Sequence, residues 1–292
     1  DPGKYVVVNA ATPTFSGNLD LGAGSTLQLG WTTVVPTAYN ALGTAGTTTI
    51  TMGAGSTITT RNGGSPVFPA ITLTGNATIN FGNSTQAPAQ ADFNHAITGP
   101  HTLTLTSNGQ GTQPLIELKA ANSFSALVIQ DIGGRGNPAD TFRANVAGSL
   151  GNGNVTVIGA SAAARSPQIR FSASNAMADS GILFLNGLGP TATGADRLVM
   201  DNGVTDTIAG LYLSNVKQIS GVYTKAGIGS AFMGTGTGVL TVGASPTVYW
   251  DIDDSTPGAG GTAPAGTWDA LTANWSPAQA GDAAASTWAA GQ

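Results

Sequence analysis

Few residues in this chain could do chemistry. Glu117 is the only glutamate among 292 residues, and the one acidic doublet is Asp253-Asp254. Glycosidic hydrolysis needs a carboxylate pair across the bond, and lyase chemistry needs a positioned base, usually with calcium. On a repeating β scaffold such groups must share one exposed strand face, yet Asp253 and Asp254 stand in a C-terminal stretch remote in sequence from Glu117. His95 and His101 flank Gly99-Pro100 without a Ser/His/Asp ordering or a His-Glu-x-x-His pattern, and they read as loop histidines. Asp251, Asp253 and Asp254 bring hard oxygen ligands close together, as a calcium loop does, and are the candidate metal ligands. Without a glycine at the sixth position or a closing glutamate, the segment fits a polar turn better. Gly133-Gly-Arg-Gly-Asn137 follows no strand-to-helix pattern and reads as a corner loop rather than an anion cradle. No catalytic residue and no cofactor is expected.

Composition narrows the classes further. Charged residues make up 9% of the chain, against roughly 25% in an ordinary soluble domain. Glycine reaches 42 residues, so hydroxyls and amides must solvate the surface. An apolar share of 41% with a net charge of −5 argues against disorder. Ten Lys and Arg, scattered singly, form no basic stripe for phosphate or anionic lipid, so nucleic acid is not an expected partner. The absence of cysteine excludes disulfides, thiolate zinc and a cysteine nucleophile, and leaves stability to packing and backbone ladders. No run approaches 18 apolar residues and no leader stands at Asp1, so no membrane insertion is expected and the chain reads as a mature or excised segment.

The elements that would carry any site are short strands. Runs alternating apolar with polar residues and closed by Gly or Asn recur throughout, as in 4–9, 18–22, 26–30, 48–53, 57–61, 70–75, 77–82, 102–107, 115–119 and 126–131. They continue at 154–159, 168–172, 181–186, 197–202, 210–215 and 238–243. Helical periodicity is nearly absent. Leu19-Asp-Leu-Gly-Ala-Gly-Ser-Thr-Leu-Gln-Leu29, Ile50-Thr-Met-Gly-Ala-Gly-Ser-Thr-Ile58 and Ile71-Thr-Leu-Thr-Gly-Asn-Ala-Thr-Ile79 share one formula at a spacing of roughly 20 to 30 residues, the period of a solenoid. One coil cannot bury its apolar face alone, and stacking like on like solves this. The expected fold is an all-β parallel β-helix over residues 1–246, with a Trp-rich β module over 247–292. A β-sandwich or jelly roll is the alternative, since it too spaces short strands by turns.

Residues 247–292 hold four of the five tryptophans, Trp250, Trp268, Trp275 and Trp288. They could stack on sugar rings, but forming a small core is the better reading, because aromatic side chains dominate packing where other large residues are scarce. Asn76, Asn83, Asn154 and Asn274 open glycosylation sequons that the composition alone would produce.

Several segments resemble the autotransporter-associated β-strand repeat, also called the passenger-associated transport repeat, of very large secreted bacterial proteins. Asn122-Ser-Phe-Ser-Ala-Leu-Val-Ile is similar to its N-x-aromatic-[ST]-G opening, with Ala126 in place of the glycine. Gly148-Ser-Leu-Gly-Asn-Gly-Asn-Val-Thr-Val157 resembles its A-L-G-x-G-x-V-x-V segment. Gly221-Val-Tyr with Gly234-Thr-Gly-Thr-Gly-Val-Leu-Thr-Val242 is similar to its closing coil, and Tyr249-Trp-Asp251, Trp268-Asp269, Asn274-Trp275 and Thr287-Trp288 follow the order of its opening module. About half the chain carries the likeness, which implies an extracellular, cell-surface β-solenoid without enzymatic activity.

The opening module stands at the C-terminus and a plain strand, Lys4-Tyr-Val-Val-Val-Asn9, at the N-terminus, as if a unit were circularly permuted. Either the chain is a slice of a longer tandem array, or the tail of one copy completes the first coil of the next. An uncovered solenoid end is a strand template, so a cap or a neighbour is required. The expected partner is therefore a copy of the chain itself, joined head to tail. Tyr5, Val7, Tyr249, Trp250, Trp268, Trp275 and Trp288 would line that joint. An adhesin binding surface glycans or host protein is the second expectation, and an enzyme a distant third.

Overall fold

The computed structural model describes residues 5–8, 16–29, 48–60, 66–82, 90–107, 115–131, 141–159, 167–186, 198–225, 236–243, 249–251, 272, 274–276 and 287. The chain divides into two compact units, Asp1–Gln218 with Val222–Val242, and Ile219–Gly221 with Gly243–Gln292.

The first unit is a parallel β-solenoid, as the repeat spacing predicts. Its first face is a ten-stranded sheet, in spatial order β1 (Tyr5–Val8), β3 (Thr26–Leu29), β5 (Thr57–Thr60), β8 (Ala77–Phe81), β11 (Thr102–Ser107), β13 (Ala126–Asp131), β15 (Asn154–Ile158), β17 (Ile182–Asn186), β20 (Gly210–Leu213) and β21 (Val216–Lys217). The second face orders β2 (Gly17–Leu21), β4 (Thr48–Met52), β7 (Ala70–Leu73) and β10 (Ile97–Thr98). The third orders β6 (Val67–Phe68), β9 (Gln90–Phe93), β12 (Leu115–Leu118), β14 (Thr141–Ala144), β16 (Gln168–Phe171) and β18 (Leu198–Met200). Beyond them lies a small sheet of β19 (Thr205–Ile208), β23 (Val239–Val242) and β22 (Gly221–Tyr223). Neighbouring strands from β1 to β20 pair in parallel along the first face, and only β21 turns back antiparallel to β20. That pattern excludes the β-sandwich, whose sheets are antiparallel.

The register stacks like on like. Leu27, Ile58, Ile79, Leu105, Ile129, Val157, Leu185 and Leu213 form one unbroken inward column, each directly opposite the next. All are buried, seven of them completely. A second column runs Ala77, Leu103, Leu127, Val155, Leu183 and Leu211. Burying an aliphatic side chain of this size contributes about 1.5–3 kcal/mol, and here each also contacts its equivalents above and below. On the third face Phe68 stacks on Phe93 at 4.4 Å, and Phe81 packs edge-on against both. The outward column opposes Thr26, Thr57, Thr78 and Thr104, whose β-branched side chains suit a half-exposed sheet.

The shared Gly-Ala-Gly-Ser-Thr formula is a corner. Gly24 and Gly55 adopt φ of 69° and 70°, a region costly for residues with a Cβ. Their N–H groups donate to the carbonyls of Ala54 and Asn76 in the coil above, at 2.9 and 2.7 Å. Gly75 fits because a Cβ there would run into the backbone of Ala54.

The second face is interrupted between β10 and β19, where turns replace strands and side chains take over the ladder's hydrogen bonds. Asn122, buried, accepts the Ile97 N–H on Oδ1 at 2.7 Å and donates from Nδ2 to the Ser149 carbonyl at 2.6 Å. Its own N–H donates to the Gly148 carbonyl at 2.9 Å. Phe124, fully buried, lies where a Cβ on Gly151 would stand, so the two segments that resemble family motifs pack on one another as successive corners. Asn122→Ala leaves a buried N–H and a buried carbonyl unsatisfied, and is expected to cost about 2–4 kcal/mol. Urea unfolding of the variant checks this; an effect below about 0.5 kcal/mol would show that the coils do not depend on this side chain.

Candidate functional site

The third face gathers the charges that the sequence scatters. Strand pairing places Asp92 on β9 opposite Glu117 on β12, Glu117 opposite Arg143 on β14, and Arg143 opposite Arg170 on β16. These positions alternate with inward Ala91, Phe93, Ile116, Leu118, Phe142, Ala144, Ile169 and Phe171, so the charges share the outer face. Lys119 and Asp201, each the residue that follows its strand, complete the group.

Each charge answers another. Lys119 Nζ lies 3.0 Å from Asp92 Oδ1 and 2.8 Å from Glu117 Oε2, while Arg143 donates to Glu117 Oε1 at 3.2 Å. Asn145 donates to the same Oε1, and Gln90 donates to both Glu117 Oε2 and Asp92 Oδ1. Arg170 grips Asp201 Oδ1 through NH2 at 2.7 Å and Nε at 2.8 Å, and Ser172 donates to Asp201 Oδ2 at 2.7 Å. Burial alone would raise the Glu117 carboxyl, but the hydrogen bonds from Lys119 and Asn145 and the charges of Lys119 and Arg143 outweigh it and hold the group below its ordinary range. Asp201 follows the same balance, with Arg170 and Ser172 outweighing burial. Burial lowers Lys119, yet its bonds to Glu117 and Asp92 raise it overall. Two guanidinium groups directly opposite would repel, and the carboxylates of Glu117 and Asp201 on either side relieve this.

A general acid needs a carboxyl held protonated near neutrality, and Glu117 and Asp201 are shifted the other way. What the arrangement does is tie successive coils across their outer surface. It ends beside a cleft of about 280 Å³ lined by Arg170, Val199, Asp201, Asn202 and Gly236. Elsewhere on the outer surface, Phe184 of β17 and Tyr212 of β20 stack at 4.8 Å in the column that starts with threonines.

Of the residues singled out from the sequence, Glu117 joins this ladder, whereas Asp92, Lys119, Arg143, Arg170 and Asp201 were not anticipated. The available signal was the two-residue alternation in Gln90-Ala-Asp-Phe93 and Thr141-Phe-Arg-Ala144, the same as in the aliphatic strands. His95 and His101 sit in the corners on either side of β10. Tyr5 and Val7 lie on β1. Tyr249 and Trp250 form β24 (Tyr249–Trp250), which pairs antiparallel with β25 (Trp275–Ser276). Trp250 and Trp275 meet edge to face at 5.2 Å, with Trp275 buried. Asp251 is fully buried and its N–H donates to the Asn274 carbonyl at 2.8 Å. Trp268, Trp288, Asp253, Asp254 and 133–137 lie outside the described residues. Among the described residues no three acidic, histidine or cysteine side chains are placed to share a metal ion, and no helix is long and apolar enough to cross a membrane. Comparison with protein-family models, with curated proteins and with solved structures finds no match.

Because Glu117 and Asp201 are held below their ordinary range, the stability they contribute is present above the usual carboxylate pKa and is lost as pH falls through the depressed values. Glu117→Gln is expected to cost about 1–2 kcal/mol near neutrality, limited by the solvent exposure of Lys119 and Arg143, and to flatten the acid limb of the stability profile. Thermal unfolding of both proteins as a function of pH tests this, and an unchanged acid limb in the variant would refute it.

Proposed function

We propose that the chain is an extracellular structural building block of a bacterial cell-surface fibre, a β-solenoid rod whose partner is another copy of itself joined head to tail. The observation that carries this reading is the first strand of the ten-stranded sheet. Among the described residues, β1 pairs on one side only, with β3, and it consists of Tyr-Val-Val-Val without a charge. Natural sheets protect such edges with charge, proline or a covering segment, and an uncharged edge strand suits addition of a further strand. The second support is chemical: the ionisable groups that gather on the third face neutralise one another. The residue order that resembles the autotransporter-associated β-strand repeat supports secretion and a location at the cell surface.

A second reading, an adhesin that binds surface glycans, draws on the outward Phe184–Tyr212 stack and the polar cleft beside Arg170 and Asp201. Aromatic faces take up the apolar faces of sugars, and a paired guanidinium and carboxylate suit their hydroxyls.

Electron microscopy of the purified chain separates the two: fibre assembly is expected to give uniform filaments. Two truncations then locate the joint. A chain lacking residues 1–8 and one lacking 247–292 are each expected to fold without elongating. Mixed, they should form a one-to-one complex, because each retains the end the other lacks. Filaments from the chain without 247–292 would exclude tail donation, and monomers that bind glycans in a Tyr212-dependent manner would favour the adhesin.

A further inference from the structure

In β2, β4 and β7 of the second face the inward positions hold Leu19, Leu21, Ile50, Met52, Ile71 and Leu73. β19 resumes the ladder beyond the interruption with buried residues Asp206 and Ile208 between exposed threonines. A carboxyl group therefore occupies a core position, 2% exposed. Its Oδ2 accepts the N–H groups of Ala176 at 2.6 Å and Met177 at 3.3 Å, the turn of the preceding coil. Its Oδ1 is buried without a well-formed hydrogen bond. Asp206 thus does for the far side of the interruption what Asn122 does for the near side, but with an ionisable group where Asn122 has an amide.

Among the described residues the surroundings offer no countercharge. The turn 174–178, β18 and β23 carry no charged side chain, Asp201 is committed to Arg170, and Tyr212 on β20 stacks outward on Phe184. The charged side chain that acts on Asp206 is Asp179, exposed and of the same sign.

We propose that Asp206 makes its coil a proton-sensitive joint, closed while the carboxyl is protonated and loosened as rising pH ionises it. Burial first, and Asp179 to a lesser degree, push the group up to about 6, against the lowering effect of the Met177, Ala176 and Thr207 N–H groups. For an acid raised on folding, the contribution to stability is fully present below its ordinary pKa and is lost as pH rises through the raised one. The joint tightens in mildly acidic surroundings and loosens at neutrality, opposite in sign to the ionic ladder of the third face.

Hydrogen exchange of the full chain between about pH 5 and about pH 7.5, corrected for the intrinsic rate, reads the joint directly. Protection of the Ala176 and Met177 amides should fall about tenfold or more across this range, while amides of the ladder between β11 and β13 hold theirs. Asp206→Asn should abolish the fall, and the exposed change Asp179→Asn, which removes a like charge, should move its midpoint to lower pH. Protection that is flat in the wild type, or that falls equally in Asp206→Asn, would overturn the proposal. So would recovery of protection by calcium at about pH 7.5, which would make Asp206 a cation ligand instead.

Discussion

Everything in the solenoid depends on in-register parallel stacking, which sets each side chain directly against its equivalent in the next coil. The column from Leu27 to Leu213 shows why this is stable: every member is aliphatic, so each coil supplies the apolar surface its neighbours lack. The same constraint makes mismatches expensive. Like charges that the register sets opposite one another must be bridged by opposite ones, glycines must appear where corners touch, and any coil that abandons its strand must replace the lost hydrogen bonds from side chains. The ionic ladder, the Gly-Ala-Gly-Ser-Thr corner and the buried Asn122 and Asp206 are three answers to one requirement.

The sequence displayed this repeat where strands are aliphatic and closed by glycine. Strands such as 77–81 and 102–107 are legible because apolar residues alternate with Thr or Asn and Gly or Asn follows. Gln90–Phe93 and Thr141–Ala144 are hard to read as strands because their outward residues are mostly charged or amidic and their inward ones are alanine and phenylalanine. The charged ladder is therefore hidden in the sequence, since neither Asp92 nor Arg143 has meaning until the register sets them beside Glu117. Thr205-Asp-Thr-Ile208 looks polar at three of four positions, and only the fold reveals that Asp206 points inward.

The spacing of coils was readable as a range but not as individual values. Ile58 and Ile79 stand 21 residues apart and Val157 and Leu185 stand 28 apart, yet both pairs are directly opposed. Corners and loops absorb the difference, because the ladder constrains only the strands. The apolar columns are therefore legible in the periodicity, while the identity of each outward neighbour follows only from the register of the fold.

The direction of the hydrogen bonds carries a mechanical consequence. In a stack of parallel coils the backbone bonds run along the stacking axis, so tension along that axis loads the bonds between two coils as a zipper and not in shear. A coil adds only about 4.8 Å to the length while stacked, but one of the 28-residue coils would span about 95 Å once pulled straight. Such a body resists compression and bending while yielding to a pull one coil at a time, lengthening about twentyfold per released coil. The interlocks at Asn122 and along the ionic ladder set which coils give way last.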